Sequence, residues 1–111
     1  MAKTDFFSSA IPSALNISLL ELGANLQIAR KRRKLSLQQV ADKLNIGVRS
    51  ISDAEKGKPA TAVSTYLGLL WVYGMLDDLK NVAVPHKDVE GIRLEAVHKK
   101  KTIKSEYDND F

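Results

Sequence analysis

The chain has no cysteine among its 111 residues. That excludes a disulfide framework, a thiolate nucleophile, an iron–sulfur cluster and any cysteine-bearing zinc site. Its two histidines, His86 and His98, stand twelve apart without metal-ligand spacing, and neither is paired with a nucleophile in a recognisable catalytic pattern. No glycine-rich phosphate loop is present. The sequence therefore predicts no catalytic residue, no metal and no cofactor. Aromatic residues make up only 6% of the chain, prolines number three, and no internal repeat or low-complexity tract appears. No apolar run approaches the roughly 18 residues of a membrane span, and residues 1–18 lack the apolar core of a signal peptide. The reading is of a soluble, cytoplasmic protein without a membrane partner.

What is present is 44% hydrophobic and 27% charged residues, ordinary for one small folded domain. The net charge of +4 is unevenly spread. Residues 30–58 hold Arg30, Lys31, Arg32, Arg33, Lys34, Lys43, Arg49, Lys56 and Lys58 against Asp42, Asp53 and Glu55, while the segments on either side are each slightly acidic. A cationic field concentrated in one quarter of the chain suits a polyanion.

Residues 1–15, interrupted by Ser8, Ser9, Pro12 and Ser13, read as a flexible arm. Leu19, Leu22, Leu26 and Ala29 then recur at helical spacing, predicting a first helix over residues 18–33. Ser36 and Gln39 form an S-x-x-Q capping box that opens a second helix carrying Val40, Ala41 and Leu44. Asn45 suits a left-handed turn, Ile46 plugs the corner, and Gly47 caps a third helix over residues 48–56 that stops at Gly57. A fourth helix is predicted over residues 62–73, with Val63, Tyr66, Leu67, Leu70 and Trp71 apolar and Gly74 as its stop. A short fifth follows over residues 76–82, with Leu79 and Val82 facing inward. Ile92, Leu94 and Ala96 alternate with Arg93 and Glu95, a weak strand signal, and the last dozen residues are expected to be disordered alone. Residues 16–84 form the folded domain in this reading, and residues 85–111 a tail that contacts a partner or a second copy.

Two short helices joined by a tight turn, with Ser36, Val40, Ala41, Asn45, Ile51, Glu55, Lys56 and Gly57 at their positions, resemble the helix-turn-helix of Xre, Cro and phage-repressor regulators. The resemblance covers about residues 22–83 and implies an all-α, five-helix lambda-repressor-like fold. It implies a structural ion pair between Arg30 and Glu55, with Ile46, Ile51 and Ala54 filling the wedge between the two helices. It places Val48, Arg49, Ser50 and Asp53 on the helix that reads base edges of double-stranded DNA. Arg49 suits guanine or a phosphate, and Val48 a thymine methyl or the core. Asp53 suits an ion pair with Arg49 or, less simply, a cytosine amino group. Ser50 and Ser52 suit DNA or solvent. Ser36, Gln38, Arg32, Arg33, Lys34, Lys56 and Lys58 are the implied phosphate contacts, Lys31 belonging to the same basic cluster. Leu37 stands where the family often has a backbone-contacting glutamine, which transfers that contact to Gln38.

A second likeness runs over residues 22–91, through L-G-A-N-L-Q-I-A-R-K-R-R-K-L-S, S-T-Y-L-G-L-L-W-V-Y-G-M and P-H-K-D-V-E-G. These stretches look like the HipB-like antitoxin regulators paired with HipA-like kinases. The likeness implies an autorepressor of a toxin–antitoxin operon, with a HipA-like kinase as partner. An antitoxin-type subunit whose main role is to restrain that kinase is the alternative. One short helix in one groove makes few contacts, so a homodimer on a palindromic operator is expected, with Trp71, Met75, Leu76 and Leu79 at its interface. Core packing is the simpler expectation for Trp71 and Tyr73.

Overall fold

The computed structural model describes residues 12–109, with side chains to residue 102. Helix α1 spans Ser13–Arg32, α2 Leu37–Leu44, α3 Val48–Glu55 and α4 Val63–Val72. Two 3-10 turns, Leu76–Asn81 and Pro85–Lys87, precede α5, Val89–Asn109. Every regular element among the described residues is helical. The expected strand around Ile92 is corrected: α5 runs through it, and its backbone is helical to Asn109, where disorder was expected. Asp88 explains the start, since its carboxylate accepts the Gly91 amide at 2.9 Å and Glu, Leu, Ala and Lys then favour a helix. The expected fifth helix is instead a 3-10 turn with Leu79 and Val82 exposed. The expected arm lies mostly outside the described residues, but Ser13–Leu15 already belong to α1.

The chain divides between Leu76 and Asp77 into two compact units. In the first, α1 to α4 all end the same way. One or two residues past each helix a residue is left-handed, at Lys34, Asn45, Gly57 and Gly74, and the amide beyond it reaches back five residues to a helix carbonyl. These are Leu35 to Arg30, Ile46 to Ala41, Lys58 to Asp53 and Met75 to Leu70. This bond satisfies carbonyls that a helix end otherwise leaves unpaired. The start of α2 is equally local. Ser36 Oγ accepts from the Gln39 amide at 3.0 Å, and Gln39 Oε1 accepts from the Ser36 amide at 2.8 Å.

The core draws on every helix of this unit: Leu26 and Ala29 from α1, Val40 and Ala41 from α2, Ile51 and Ala54 from α3, Tyr66 and Leu69 from α4, and Tyr73 just beyond. No two helices bury these residues alone, so the unit should unfold cooperatively. Ile46, expected to plug the corner, remains more than a third exposed at its rim. On α4 the inward face is Thr65, Tyr66 and Leu69, while Val63 and Trp71 point to solvent. That helix is apolar almost all round, so periodicity could not choose its face.

The second unit holds the first 3-10 turn from Asp77 onward, the second 3-10 turn and α5. None of its side chains described is buried, and Val89, Ile92, Leu94 and Val97 are exposed.

Two buried tyrosines give the first unit an alkaline limit. Burial pushes both phenols above the ordinary value of 10.0; the Glu55 carboxylate adds to this at Tyr73, and Asp53 at Tyr66. A pKa raised on folding contributes stability that is complete below the unfolded value and lost as pH rises through the folded one. The urea midpoint should therefore fall above about pH 10, and the fall should be smaller in Tyr73→Phe. Tyr73 Oη is also buried without a hydrogen-bond partner among the described residues. At neutral pH, Tyr73→Phe should be neutral or slightly stabilising.

Candidate nucleic-acid interface

The α2–turn–α3 segment is held from behind by α1 and α4. Gly23 of α1 is a point of close approach: a Cβ there would sit 2.6 Å from both the Ala54 and Glu55 carbonyl oxygens. Arg30, two turns along α1, closes the same junction. Its Nε and Nη2 donate to the two Glu55 carboxylate oxygens at 2.7 and 3.0 Å, and Nη1 donates to the Leu35 carbonyl at 3.0 Å. The Glu55 side chain is only 4% exposed. Hydrogen bonding to Glu55 pushes the Arg30 pKa still higher against an opposing cost of burial. The expected ion pair is thus formed, and it fixes the end of α3 to α1.

With Ile51 and Ala54 buried, about 100° per residue places Arg49, Ser52, Asp53 and Lys56 on the outward side of α3. Arg49 and Lys56 are exposed, and their side chains make no hydrogen bond or ion pair among the described residues. The acids of α3 are neutralised within the fold. Glu55 faces Arg30, and Asp53 pairs with Lys58 at 3.1 Å. The Asp53–Arg49 pair is therefore corrected. Aspartate following arginine by four residues is the weaker orientation on a helix. The turn after α3, in which the Lys58 amide bonds the Asp53 carbonyl, brings Lys58 beside Asp53 instead.

Other candidate contacts are distributed unevenly. Val48 is half-buried against the core, which favours its packing role. Ser50 lies with Asp53, Lys58 and Thr65 in a cleft of about 210 Å³ between α3 and the start of α4. The Gln38 side-chain amide donates to Asp42 at 2.8 Å. Ser36 uses its oxygen as the cap acceptor, which leaves its O–H free to donate. Lys31, Arg32 and Lys34 are exposed at the end of α1.

Arg33 differs from its basic neighbours. Its Nη1 donates to the Ala29 carbonyl at 2.9 Å and Nη2 to the Tyr73 carbonyl at 3.0 Å, with the guanidinium 5.4 Å from the Tyr73 ring centroid. Expected on a phosphate, it instead clamps the end of α1 to the end of α4. No spacing in the sequence announces a contact over forty residues. A glycine inside an otherwise regular helix, by contrast, is a signal of close packing that would have pointed to Gly23, which the reading of the sequence passed over.

Of the expected dimer residues, Trp71 is 61% exposed, so core packing is corrected for it and holds for Tyr73. Met75 and Leu76 are half-buried, and Leu79, in the second unit, is exposed. No helix among the described residues is long and apolar enough to cross a membrane, and no group of three metal-ligating side chains occurs among them.

No curated protein and no solved structure matches the chain. The helix-turn-helix domain family model matches residues 21–82, more than half of the sequence and the whole of the α2–turn–α3 arrangement with its supports. The chain is a member of the helix-turn-helix domain family.

Proposed function

We propose that the protein is a sequence-specific transcriptional regulator that binds a palindromic operator as a dimer. The carrying observation is the outward side of α3, where the Arg49 and Lys56 side chains have no partner among the described residues while Glu55 and Asp53 are paired with Arg30 and Lys58. Repulsion of phosphates by two acids is thereby reduced, and the cations stay available. Arg49 reads a base edge. Lys56, Arg32, Lys34 and Ser36 hold phosphates, with Lys31 beside them and Lys58 and Gln38 contributing after exchange of their internal partners. Phosphate contacts position the domain, and base contacts give it sequence preference. Autorepression of a toxin–antitoxin operon is the setting supported by the likeness over residues 22–91.

The experiment is a titration of candidate operator and random DNA at several salt concentrations. Arg49→Ala is expected to cost about 1 to 3 kcal/mol on the operator and to relax preference at one base pair. Lys56→Ala should weaken both DNAs alike and make the salt slope shallower by about one. Equal losses on operator and random DNA for Arg49→Ala would return Arg49 to the phosphates.

A second reading, an antitoxin-type subunit that binds a HipA-like kinase, is favoured by the exposed Val89, Ile92, Leu94 and Val97 of α5. Co-purification of a kinase that is lost on Ile92→Glu, with DNA affinity unchanged, would support it.

A further inference from the structure

We infer that the Asp53–Lys58 pair is a specificity gate: Lys58 reaches a DNA phosphate only where a base donates a hydrogen bond to the Asp53 carboxylate that it leaves. This deepens the regulator reading and rests on it. The starting observation is that the two acids at the end of α3 are paired in different ways. Arg30 holds Glu55 with two hydrogen bonds, and those side chains are 10% and 4% exposed. Lys58 Nζ lies 3.1 Å from one Asp53 oxygen, and here the side chains are 49% and 27% exposed. A pair so open to water contributes little stability and exchanges readily. In the cleft that the pair shares with Ser50, Thr61 and Thr65, the other lining residues among those described are all neutral. Arg49, one turn back on α3, is taken up by a base edge in the proposed complex. No second cation is then at hand for Asp53 when Lys58 departs.

The lysine can move while its root stays fixed. The Lys58 amide donates to the Asp53 carbonyl at 3.1 Å, and the Lys58 carbonyl accepts from the Thr61 amide at 3.1 Å and from Tyr66 Oη at 3.3 Å. Exchange needs no change of backbone, only rotation of a flexible stem that ends in a point charge. What makes the exchange selective is the state of Asp53 afterwards. In the free protein, water solvates a carboxylate that has lost its lysine. Against a base edge that water is displaced, and a carboxylate left unpaired there is costly. An ionised carboxylate can only accept hydrogen bonds. In the major groove the donors are the amino groups of cytosine and adenine, while guanine and thymine present acceptors. Every base pair carries one such amino group, so what matters is the strand on which it lies. A base pair that turns its amino group toward Asp53 releases Lys58 to a phosphate, and the reversed pair keeps Lys58 on Asp53.

The probes are a duplex that the wild type enriches from a randomised pool, and the unselected pool itself, each titrated with the full chain across a range of salt concentrations. Circular dichroism checks that every variant is folded. Removing a lysine that always sits on a phosphate lowers the salt slope by about one on both DNAs, as expected for Lys56→Ala. Lys58→Met should lower the slope by about one on the enriched duplex and by less than about half of that on the pool, where Lys58 stays on Asp53. Its affinity for the pool should fall all the same, because Asp53 is left uncovered. Asp53→Ala removes the acceptor and frees Lys58. It should tighten binding to the pool, steepen the pool slope by about one, and reduce the ratio of enriched to pool affinity by about tenfold or more. Selection repeated with Asp53→Ala should relax one base pair, distinct from the one that Arg49→Ala relaxes. Adding Lys58→Met to Asp53→Ala should return the pool slope to its wild-type value. Equal slope changes on the two DNAs for Lys58→Met, or an equal gain on both for Asp53→Ala with the selected sequence unchanged, overturns the gate. With Arg49→Ala still relaxing its own base pair, the regulator reading then stands. A wild type that enriches no sequence from the pool overturns both.

Discussion

Gly57→Ala is expected to abolish cooperative folding of the helix-turn-helix unit. Two costs coincide at this position. Gly57 has φ of +67°, where an alanine is disfavoured by about 1 to 2 kcal/mol. An added Cβ would also lie 2.5 Å from the Leu19 carbonyl oxygen and 2.8 Å from the Leu20 Cα, both backbone atoms of α1 that no rotamer change can move. Overpacking in a rigid interior costs about 1 to 3 kcal/mol and more where nothing yields. Together these consume much of the stability of a small domain, at the low end of about 5 to 15 kcal/mol. Gly23→Ala probes the same junction without the dihedral cost, because Gly23 lies within α1 and its Cβ would strike the Ala54 and Glu55 carbonyls. It should be destabilising by somewhat less. Gly74→Ala is the control: its φ is also positive, but no atom lies within 4 Å of the added Cβ, so only the conformational cost remains. Urea denaturation followed by circular dichroism at 222 nm ranks the three. A Gly57→Ala protein with a midpoint near wild type would contradict the close approach of α1 to the turn after α3.

The second large effect concerns Arg30 and Glu55. Arg30→Met removes a bidentate pair and the bond to the Leu35 carbonyl, and strands the Glu55 carboxylate in a site with 4% side-chain exposure. Loss of one partner from a buried pair costs about 3 to 5 kcal/mol, most of it the penalty on the charge left behind. The double variant Arg30→Met with Glu55→Leu should therefore recover much of the stability, because a buried pair replaced by apolar groups is often neutral or better. A double-mutant cycle in urea measures the coupling. Additive losses would show that the pair is not coupled. DNA binding supplies an independent readout in the folded double variant. If the pair orients the end of α3, operator affinity should drop even where stability returns.

The parts of the molecule written in its sequence are those settled within about five residues. The Ser36–Gln39 capping box, the left-handed Asn45, the stop at Gly57 and the span of α3 all depend on backbone groups and their immediate neighbours. So does the core face of α1, because its inward leucines keep a clear helical spacing. The membership of Arg49 and Lys56 on the outward side of α3 follows from the burial of Ile51 and Ala54 in the same eight residues. Where local signals competed, the reading failed. Ile92 to Ala96 alternates like a strand, yet helix-forming residues and the Asp88 cap make it part of α5.

Tertiary structure alone decided the choices among equivalent local options. On α4, apolar residues occupy nearly every direction, and only the positions of α2 and α3 select Leu69 for the core and leave Trp71 in solvent. Asp53 had cations on both sides in sequence and took Lys58, because the turn after α3 brings that lysine back. Arg33 was one of four adjacent bases at the end of α1, and the carbonyl and ring of Tyr73 separated it from the others. The same holds for Ile17, Leu20 and Ile28 of α1, apolar residues that the fold leaves exposed. A side chain's partner in sequence is fixed by covalent distance, whereas its partner in space depends on elements whose packing no local pattern encodes.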